Sequence, residues 1–314
     1  MWPCCVCRGG PKMSTQYDEI GLSYESMKRL PAAALERANL RETVTPFLNA
    51  DTDTEGTSVL DLACGTGYYS RLLLSWGASR VVGVDISPTM IDAARSQMLP
   101  PDSESSQKPN LAFEVGDCTQ PLTLTTLRHG QSTEAEAETE TETETETETE
   151  QFDIVLGAWL LNYAGTPAEM TRMFANIALH LKPGGHFVGI TPHPAVDLDT
   201  FAEMFDPEKA RDRDQLAKYG VSVAYTARIP GVYGYRTKVT AHVQPREISF
   251  ENYHLDRRIY EACAREGGLK GDLEWKDVRL PQTDEESRRE YDAALSFWTG
   301  YHEAPHFGIL VIGK

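Results

Sequence analysis

The chain is short of basic charge. Its 30 Lys and Arg face 47 Asp and Glu, for a formal net charge of −17. Glutamate occupies every second position from Glu134 to Glu150, and the remainder is still acidic without that tract. A nucleic-acid footprint needs a basic field over the phosphates, and no basic cluster supplies one, so a nucleic-acid partner is not expected. Long apolar runs are missing too. Nothing approaches the roughly 20 residues of a membrane span, so no membrane partner is expected. The opening Met1-Trp2-Pro3-Cys4-Cys5-Val6-Cys7 lacks the basic start and apolar stretch of a secretory signal. The expectation is a soluble, cytoplasmic protein. Its six cysteines do not form a disulfide framework: three crowd together and Cys64, Cys118 and Cys263 stand singly. Cys4 and Cys7 have the spacing of half a zinc site, but no second pair follows and no metal is expected.

What is present is enough for a large core, with 40% hydrophobic and 9% aromatic residues. Residues 1–13 read as a flexible leader, with Met13 a candidate natural start. Residues 14–50 read as an N-terminal helical lid, mostly helix from Tyr17 to about Leu48, with Pro31 near a first turn. Residues 51–192 then alternate strand and helix. Strands are expected at 58–63, 80–85, 111–115, 152–157 and 186–190. Ser87-Pro88 and Thr166-Pro167 cap two of the helices. Such alternation predicts an α/β fold, a doubly wound, mostly parallel seven-stranded sheet covered on both faces. The glutamate-threonine tract at about 130–150 interrupts this core. It has a strand's period but no apolar face, so a disordered surface insertion is expected. Residues 193–254 read as a cap inserted after the fifth strand, with a helix over 199–219 and a hairpin over 235–250. Residues 255–314 complete the sheet with a helix over 255–266 and strands at 273–278 and 307–312.

The chemistry concentrates where strands hand over to helices. Val59-Leu60-Asp61-Leu62-Ala63-Cys64-Gly65-Thr66-Gly67 joins the first strand to its helix, and glycine there lets a ligand approach the backbone. The pattern is Ala-x-Gly-x-Gly behind an aspartate, not the Gly-x-Gly-x-x-Gly that cradles pyrophosphate. An acid at the loop entrance suits a ligand with a positive centre, such as a sulfonium with an amino-acid tail. Asp85 ends the second strand, where a carboxylate meets ribose hydroxyls, and Ile86 beside it offers packing for a base. Gly116-Asp117-Cys118 ends the third strand. Ala158, Trp159 and Leu160 follow the fourth, at the carboxyl ends where ligands bind in such sheets.

These motifs stand in the order found in the class I, Rossmann-like S-adenosylmethionine-dependent methyltransferases. Residues 58–189 resemble that family, closest to the small-molecule branch of ubiquinone-type and fungal secondary-metabolite enzymes. The residues that carry the resemblance are 61–67, Val82-Gly83-Val84-Asp85-Ile86-Ser87, Gly116-Asp117, Phe152-Asp153-Ile154-Val155 and Leu181-Lys182-Pro183-Gly184-Gly185. The resemblance implies S-adenosylmethionine as cofactor. It implies Asp61, Ala63, Gly65 and Gly67 around the methionine part, Asp85 at the ribose, Asp117 and Cys118 near the adenine, and Ala158, Trp159 and Leu160 near the methionine tail. Ala63 stands where the family often has glycine.

The acceptor site is read more thinly. Tyr17-Asp18 and Tyr24 match the family's habit of closing the cofactor with an N-terminal helix; seven residues apart, the two tyrosines would share one helical face. Tyr17 is a catalytic candidate and Tyr24 a substrate-binding one. His193, after the fifth strand, and His254, at the hairpin exit, are the candidate general bases. Tyr163 and Tyr253 are candidate substrate-wall residues; packing aromatics would explain Tyr17 and Tyr24 equally, and a half-exposed strand end would explain Tyr253. The expected reaction methylates nitrogen or oxygen of a small molecule, in the manner of a secondary-metabolite enzyme. A non-catalytic regulator and a protein methyltransferase share the same sheet. A nicotinamide oxidoreductase would want the other glycine spacing.

Overall fold

The structure, a computed structural model, describes residues 15–48, 56–98, 110–124, 149–205 and 217–314. The leader and nearly all of the glutamate-threonine insertion lie outside the described residues, as does the middle of the helix expected over 199–219.

The main sheet has seven strands in the order β3-β2-β1-β4-β5-β10-β9. These are β1 (Ser58–Leu62), β2 (Arg80–Asp85), β3 (Leu111–Val115), β4 (Phe152–Ala158), β5 (Leu181–Pro192), β9 (Leu273–Lys276) and β10 (Phe307–Gly313). The first five run parallel, and β10 pairs antiparallel with both β5 and β9. Successive residues of a strand face opposite sides, so each parallel strand feeds two cores. Val59, Val81, Ile154 and Val188 pack on one side with α2 (Pro31–Leu48), α3 (Tyr68–Trp76) and α4 (Pro88–Ser96). Leu60, Val82, Val155 and Phe187 pack on the other with α5 (Pro167–His180) and α7 (Arg257–Glu266).

Local chemistry sets the helix starts. Ser87 accepts the Met90 amide at 3.2 Å above Pro88 in the first turn of α4. Thr166 and Glu169 form a reciprocal capping box at α5. The strand expected at 186–190 begins earlier: the Lys182-Pro183-Gly184-Gly185 stretch is taken into β5, with an irregular register against β4 absorbing it.

The cap is a second sheet of three antiparallel strands, β6 (Val221–Arg228), β7 (Gly234–Ala241) and β8 (Ile248–Leu255), with the short helix α6 (Leu198–Glu203) beside it. The lid consists of α1 (Gln16–Ile20), a 3-10 segment (Gly21–Arg29) and α2. Its Tyr17, Ile20, Tyr24, Met27 and Leu30 pack on Ala241, Val243, Ile248 and Phe250, so lid and cap share one apolar seam. After β9, α8 (Asp284–Tyr291) and two short 3-10 turns bring Trp298 under Tyr219, stacked at 5.6 Å. No helix among the described residues is long and apolar enough to cross a membrane.

Candidate active site

In open parallel sheets ligands bind beyond the carboxyl ends of the strands, where the strand order reverses. Here the reversal lies between β1 and β4. A cleft of about 1760 Å³, its open mouth included, sits there. It is walled by the turns that follow β1, β2, β3 and β4, by the lid, and by one edge of the cap.

The turn after β1 needs left-handed backbone three times: at Ala63 (φ 59°), Gly65 (φ 55°) and Gly67 (φ 75°). The two glycines are required for different reasons. Around Gly65 a Cβ would meet nothing within 4 Å, so this glycine keeps wall space open. At Gly67 a Cβ would stand 2.5 Å from Cζ of Phe113, so this glycine lets helix α3 start against the sheet. Gly67 is accordingly off the cleft wall, whereas Ala63, Cys64, Gly65 and Thr66 line it. Asp61 is also absent from the wall. It lies under the turn, 1% exposed, accepting the Ser70 hydroxyl at 2.5 Å. Burial pushes its carboxyl up to about 7, and the charge of Asp85 adds to the effect. An acid placed next to a ligand in the sequence reading is thus a buried prop beneath the loop.

Asp85 does reach the cleft. One carboxylate oxygen accepts the Gly65 amide at 2.8 Å and the other the Ser87 amide at 2.9 Å, fixing the group at the end of β2. Burial raises its pKa, and these two amides act against that rise. Ile86, Asp117, Cys118, Ala158, Trp159 and Leu160 line the same cleft. Asp117 also closes a tight turn, accepting the amide and hydroxyl of Thr119 at 2.8 and 2.7 Å. The lid is tied to the turn after β1 through Glu25, which accepts from the Thr66 hydroxyl and pairs with Arg71 at 3.2 Å.

A second cavity, about 840 Å³ with its open mouth included, lies behind the cleft. Tyr24, Lys28, Trp159, Tyr163 and Asn252 line both. Trp159 is held in left-handed backbone (φ 66°), its amide on the Ile190 carbonyl at 2.9 Å and its indole N–H on Glu36 Oε2 at 3.1 Å. The other oxygen of Glu36 meets His306 at 3.1 Å, and His306 stacks on Trp159. These donors hold the Glu36 carboxyl below its ordinary range despite burial. Lys28 presents its ammonium to the rings of Tyr24, Tyr68 and Tyr69 at 5.2, 5.3 and 4.7 Å, with no hydrogen bond to a described residue.

The two histidines fare differently from their sequence reading. His193 lines a separate shallow surface groove and neither of these cavities, so it is not placed as a base. A tight turn, closed by the Ala195 amide on the His193 carbonyl, leaves its ring against Phe201. His254 lines the inner chamber, but both ring nitrogens are committed. Nε2 donates to the His193 carbonyl at 2.8 Å, and Nδ1 therefore accepts the Tyr225 hydroxyl at 2.7 Å. Burial pushes its pKa down to about 4. Tyr17, Tyr24 and Tyr163 do come together: the Tyr17 and Tyr163 hydroxyls meet, and the Tyr17 and Tyr24 rings lie edge-on at 5.9 Å. They do so across a break, because α1 ends at Ile20 and no single α-helix carries both lid tyrosines. Tyr253 lines the cleft. The sequence reading missed Lys28, Glu36 and Asn162. Glu36 had a signal, since it shares the buried stripe of α2 with Ala32, Ala33, Leu35, Asn39 and Leu40. Among the described residues no group of His, Cys, Asp and Glu is arranged to hold a metal ion.

Comparison with known proteins agrees with this geometry. The family model described as a methyltransferase domain matches residues 53–227. The chain is 35% identical over 71 residues to the malonyl-[acyl-carrier protein] O-methyltransferase of Acetivibrio thermocellus, 22% of this chain and 25% of that protein. It is 42% identical over 69 residues to the magnesium-protoporphyrin O-methyltransferase of Rhodobacter capsulatus, 22% of this chain and 28% of that protein. The chain thus spans about a quarter of the length of these curated relatives. Among solved structures it is similar to the PH0226 protein of Pyrococcus horikoshii, with 20% identity, 89% and 91% of the two chains covered and a TM-score of 0.47. It is likewise similar to the sugar N-methyltransferase KedS8 of a Streptoalloteichus species, with 18% identity, 100% and 98% covered and a TM-score of 0.46. The family match spans more than half of the chain, which therefore belongs to the methyltransferase-domain family.

Proposed function

We propose that the chain methylates a nitrogen or oxygen of a small, largely apolar molecule of the secondary-metabolite kind, held in the inner chamber. The observation that carries this reading is the two-room arrangement with Trp159 as the shared wall. The chamber is enclosed by lid, α2 and cap and lined by Met27, Leu30, Phe201, Phe205 and Phe250. A site walled in this way suits a compact ligand better than a protein segment.

The residues of the cleft fit S-adenosylmethionine. Asp85, pinned through two amides, keeps lone pairs for a vicinal diol. Asp117 and Ile86 offer an acceptor and an apolar face for the base. Lys28, charged and without a hydrogen-bond partner among the described residues, is the candidate counter-ion for the cofactor's carboxylate. When bound, the cofactor supplies an electrophilic methyl group on a sulfonium. The protein's part is alignment and exclusion of water. Trp159 and Tyr163 wall the passage between the rooms, and Glu36 with His306 keeps Trp159 in place. Bound there, S-adenosylmethionine would supply the methyl carbon to the acceptor's lone pair and leave as the neutral thioether, and an acceptor that arrives protonated would release its proton to water. His254 has no free nitrogen to take it, so its role is to hold the Tyr225 hydroxyl against the chamber.

Calorimetric titration with S-adenosylhomocysteine and with NAD tests the cleft. The expected result is binding of the first alone, weakened about 10- to 100-fold in Asp85→Ala through lost hydrogen bonds to a charged acceptor. Transfer of radiolabelled methyl to a metabolite extract tests the activity. Equal binding of NAD, or no transfer to any small molecule, would overturn the reading.

A further inference from the structure

Asn162 is the middle residue of the 3-10 turn Leu161–Tyr163 that follows β4, and it stands in the wall of the inner chamber. It is 1% exposed, and neither its Nδ2 nor its Oδ1 has a hydrogen-bond partner. Buried amides in native structures are almost always paired, because an unmade bond to a desolvated donor or acceptor is expensive. Several polar groups on the wall are already engaged, while the Lys28 ammonium faces the rings of Tyr24, Tyr68 and Tyr69. Glu36 holds Trp159 and His306, Thr237 donates to Asn252, and His254 joins Tyr225 to the His193 carbonyl. Met27, Leu30, Phe201, Phe205 and Phe250 supply the apolar part of the wall.

Resting on the reading of this chamber as the acceptor site, we propose that Asn162 is a specificity-determining residue. It receives an acceptor bearing a neutral lactam or carboxamide edge on an apolar ring. A carboxamide offers one donor and one acceptor side by side in a plane. The ligand edge that satisfies both at once carries an adjacent acceptor and donor, as C=O next to N–H does in a ring lactam. An ionised carboxylate offers acceptors only and leaves Oδ1 unpaired. A bare aromatic hydrocarbon leaves both atoms unpaired.

The test uses the full chain saturated with S-adenosylhomocysteine and two probes of similar size. These are 2-quinolone, which carries the lactam edge, and quinoline, which has one acceptor and no donor. The wild type is expected to bind 2-quinolone about 10- to 100-fold more tightly, the effect of pairing the buried Oδ1 that quinoline leaves without a donor. Asn162→Leu, with the same number of side-chain heavy atoms and the same branch point, should abolish that preference while S-adenosylhomocysteine binds as before. Asn162→Ala serves as the second variant should the leucine disturb folding. Equal affinity of the two probes for the wild type, failure of 2-quinolone to bind, or a preference that survives in the variants would each overturn the proposal. Loss of S-adenosylhomocysteine binding by the wild type would instead overturn the reading of the cleft, so the two failures are distinguishable.

Discussion

Asp61 sets a pH dependence on the fold that can be worked from its surroundings. Its carboxyl is 1% exposed, and burial, with Asp85 adding to it, moves it from an ordinary 3.8 to about 7. The folded protein therefore holds that proton more tightly than the unfolded chain does. For a raised carboxyl the associated stability is fully present below the unfolded value and is lost as pH rises through the folded one. The window here runs from 3.8 to about 7. Across the whole window the difference amounts to about 4 kcal/mol, and between pH 5 and pH 8.5 to roughly 3 kcal/mol. Solvent screening discounts this little, since the group is buried. Asp61→Asn removes the titration while retaining an oxygen for the Ser70 hydroxyl, which now bonds Asp61 at 2.5 Å. Urea unfolding of both proteins over this pH range isolates the effect, because every other titrating group is common to the pair. The wild type should lose about 3 kcal/mol relative to Asp61→Asn between pH 5 and pH 8.5. A stability difference that stays flat with pH, or that favours the wild type at high pH, would refute the reasoning.

Two further outcomes follow from the same walls. Gly67→Ala places a Cβ 2.5 Å from the Phe113 ring in left-handed backbone, so calorimetric unfolding should show a loss of about 2–4 kcal/mol, strain and overpacking together. His254→Ala should leave S-adenosylhomocysteine affinity intact and should lower turnover without changing the shape of its pH profile, because Nε2 and Nδ1 are both committed. A variant profile that loses an ionisation would restore His254 as a base.

The sheet was legible because parallel strands covered on both faces leave long apolar runs. Val59-Leu60 and Val81-Val82 each send one residue to either core. The caps of α4 and α5 were legible because Ser87-Pro88 and Thr166-Pro167 act through their nearest neighbours alone. The cap was legible only in part. Its hairpin was foreseen, but β6 was not, since Val221–Arg228 is half exposed along its length and shows no clean alternation. Helix α8 escaped for a related reason: Asp284–Tyr291 is almost wholly charged and buries only Ser287 and Tyr291. In the site, Asp85 and Gly65 could be placed because a strand end and a turn define where they face. Asp61, in β1 two residues before Ala63 of the turn, could not, because which side of the loop it supports depends on Ser70 in the following helix. His193 was misplaced by treating a strand's carboxyl end as a direction, when the turn after it decides where the ring goes.

Strain at the site follows the same division between local and distant causes. Three non-glycine residues of the described chain have positive φ, and two of them, Ala63 and Trp159, line the cleft from adjacent strands on either side of the topological switch. Left-handed backbone at a residue with a Cβ is unfavourable by about 1–2 kcal/mol and persists where its surroundings over-determine it. At Trp159 those surroundings are the Ile190 carbonyl of β5 and the Glu36 carboxylate of α2. The lid segment that carries Glu36 also brings Lys28 and Tyr24 to the passage between the rooms. The wall between cleft and chamber is therefore held from the N-terminal lid as much as from the sheet. The motifs of the sheet specify the cleft, while the shape of the inner chamber is set by contacts that only the folded lid and cap bring together.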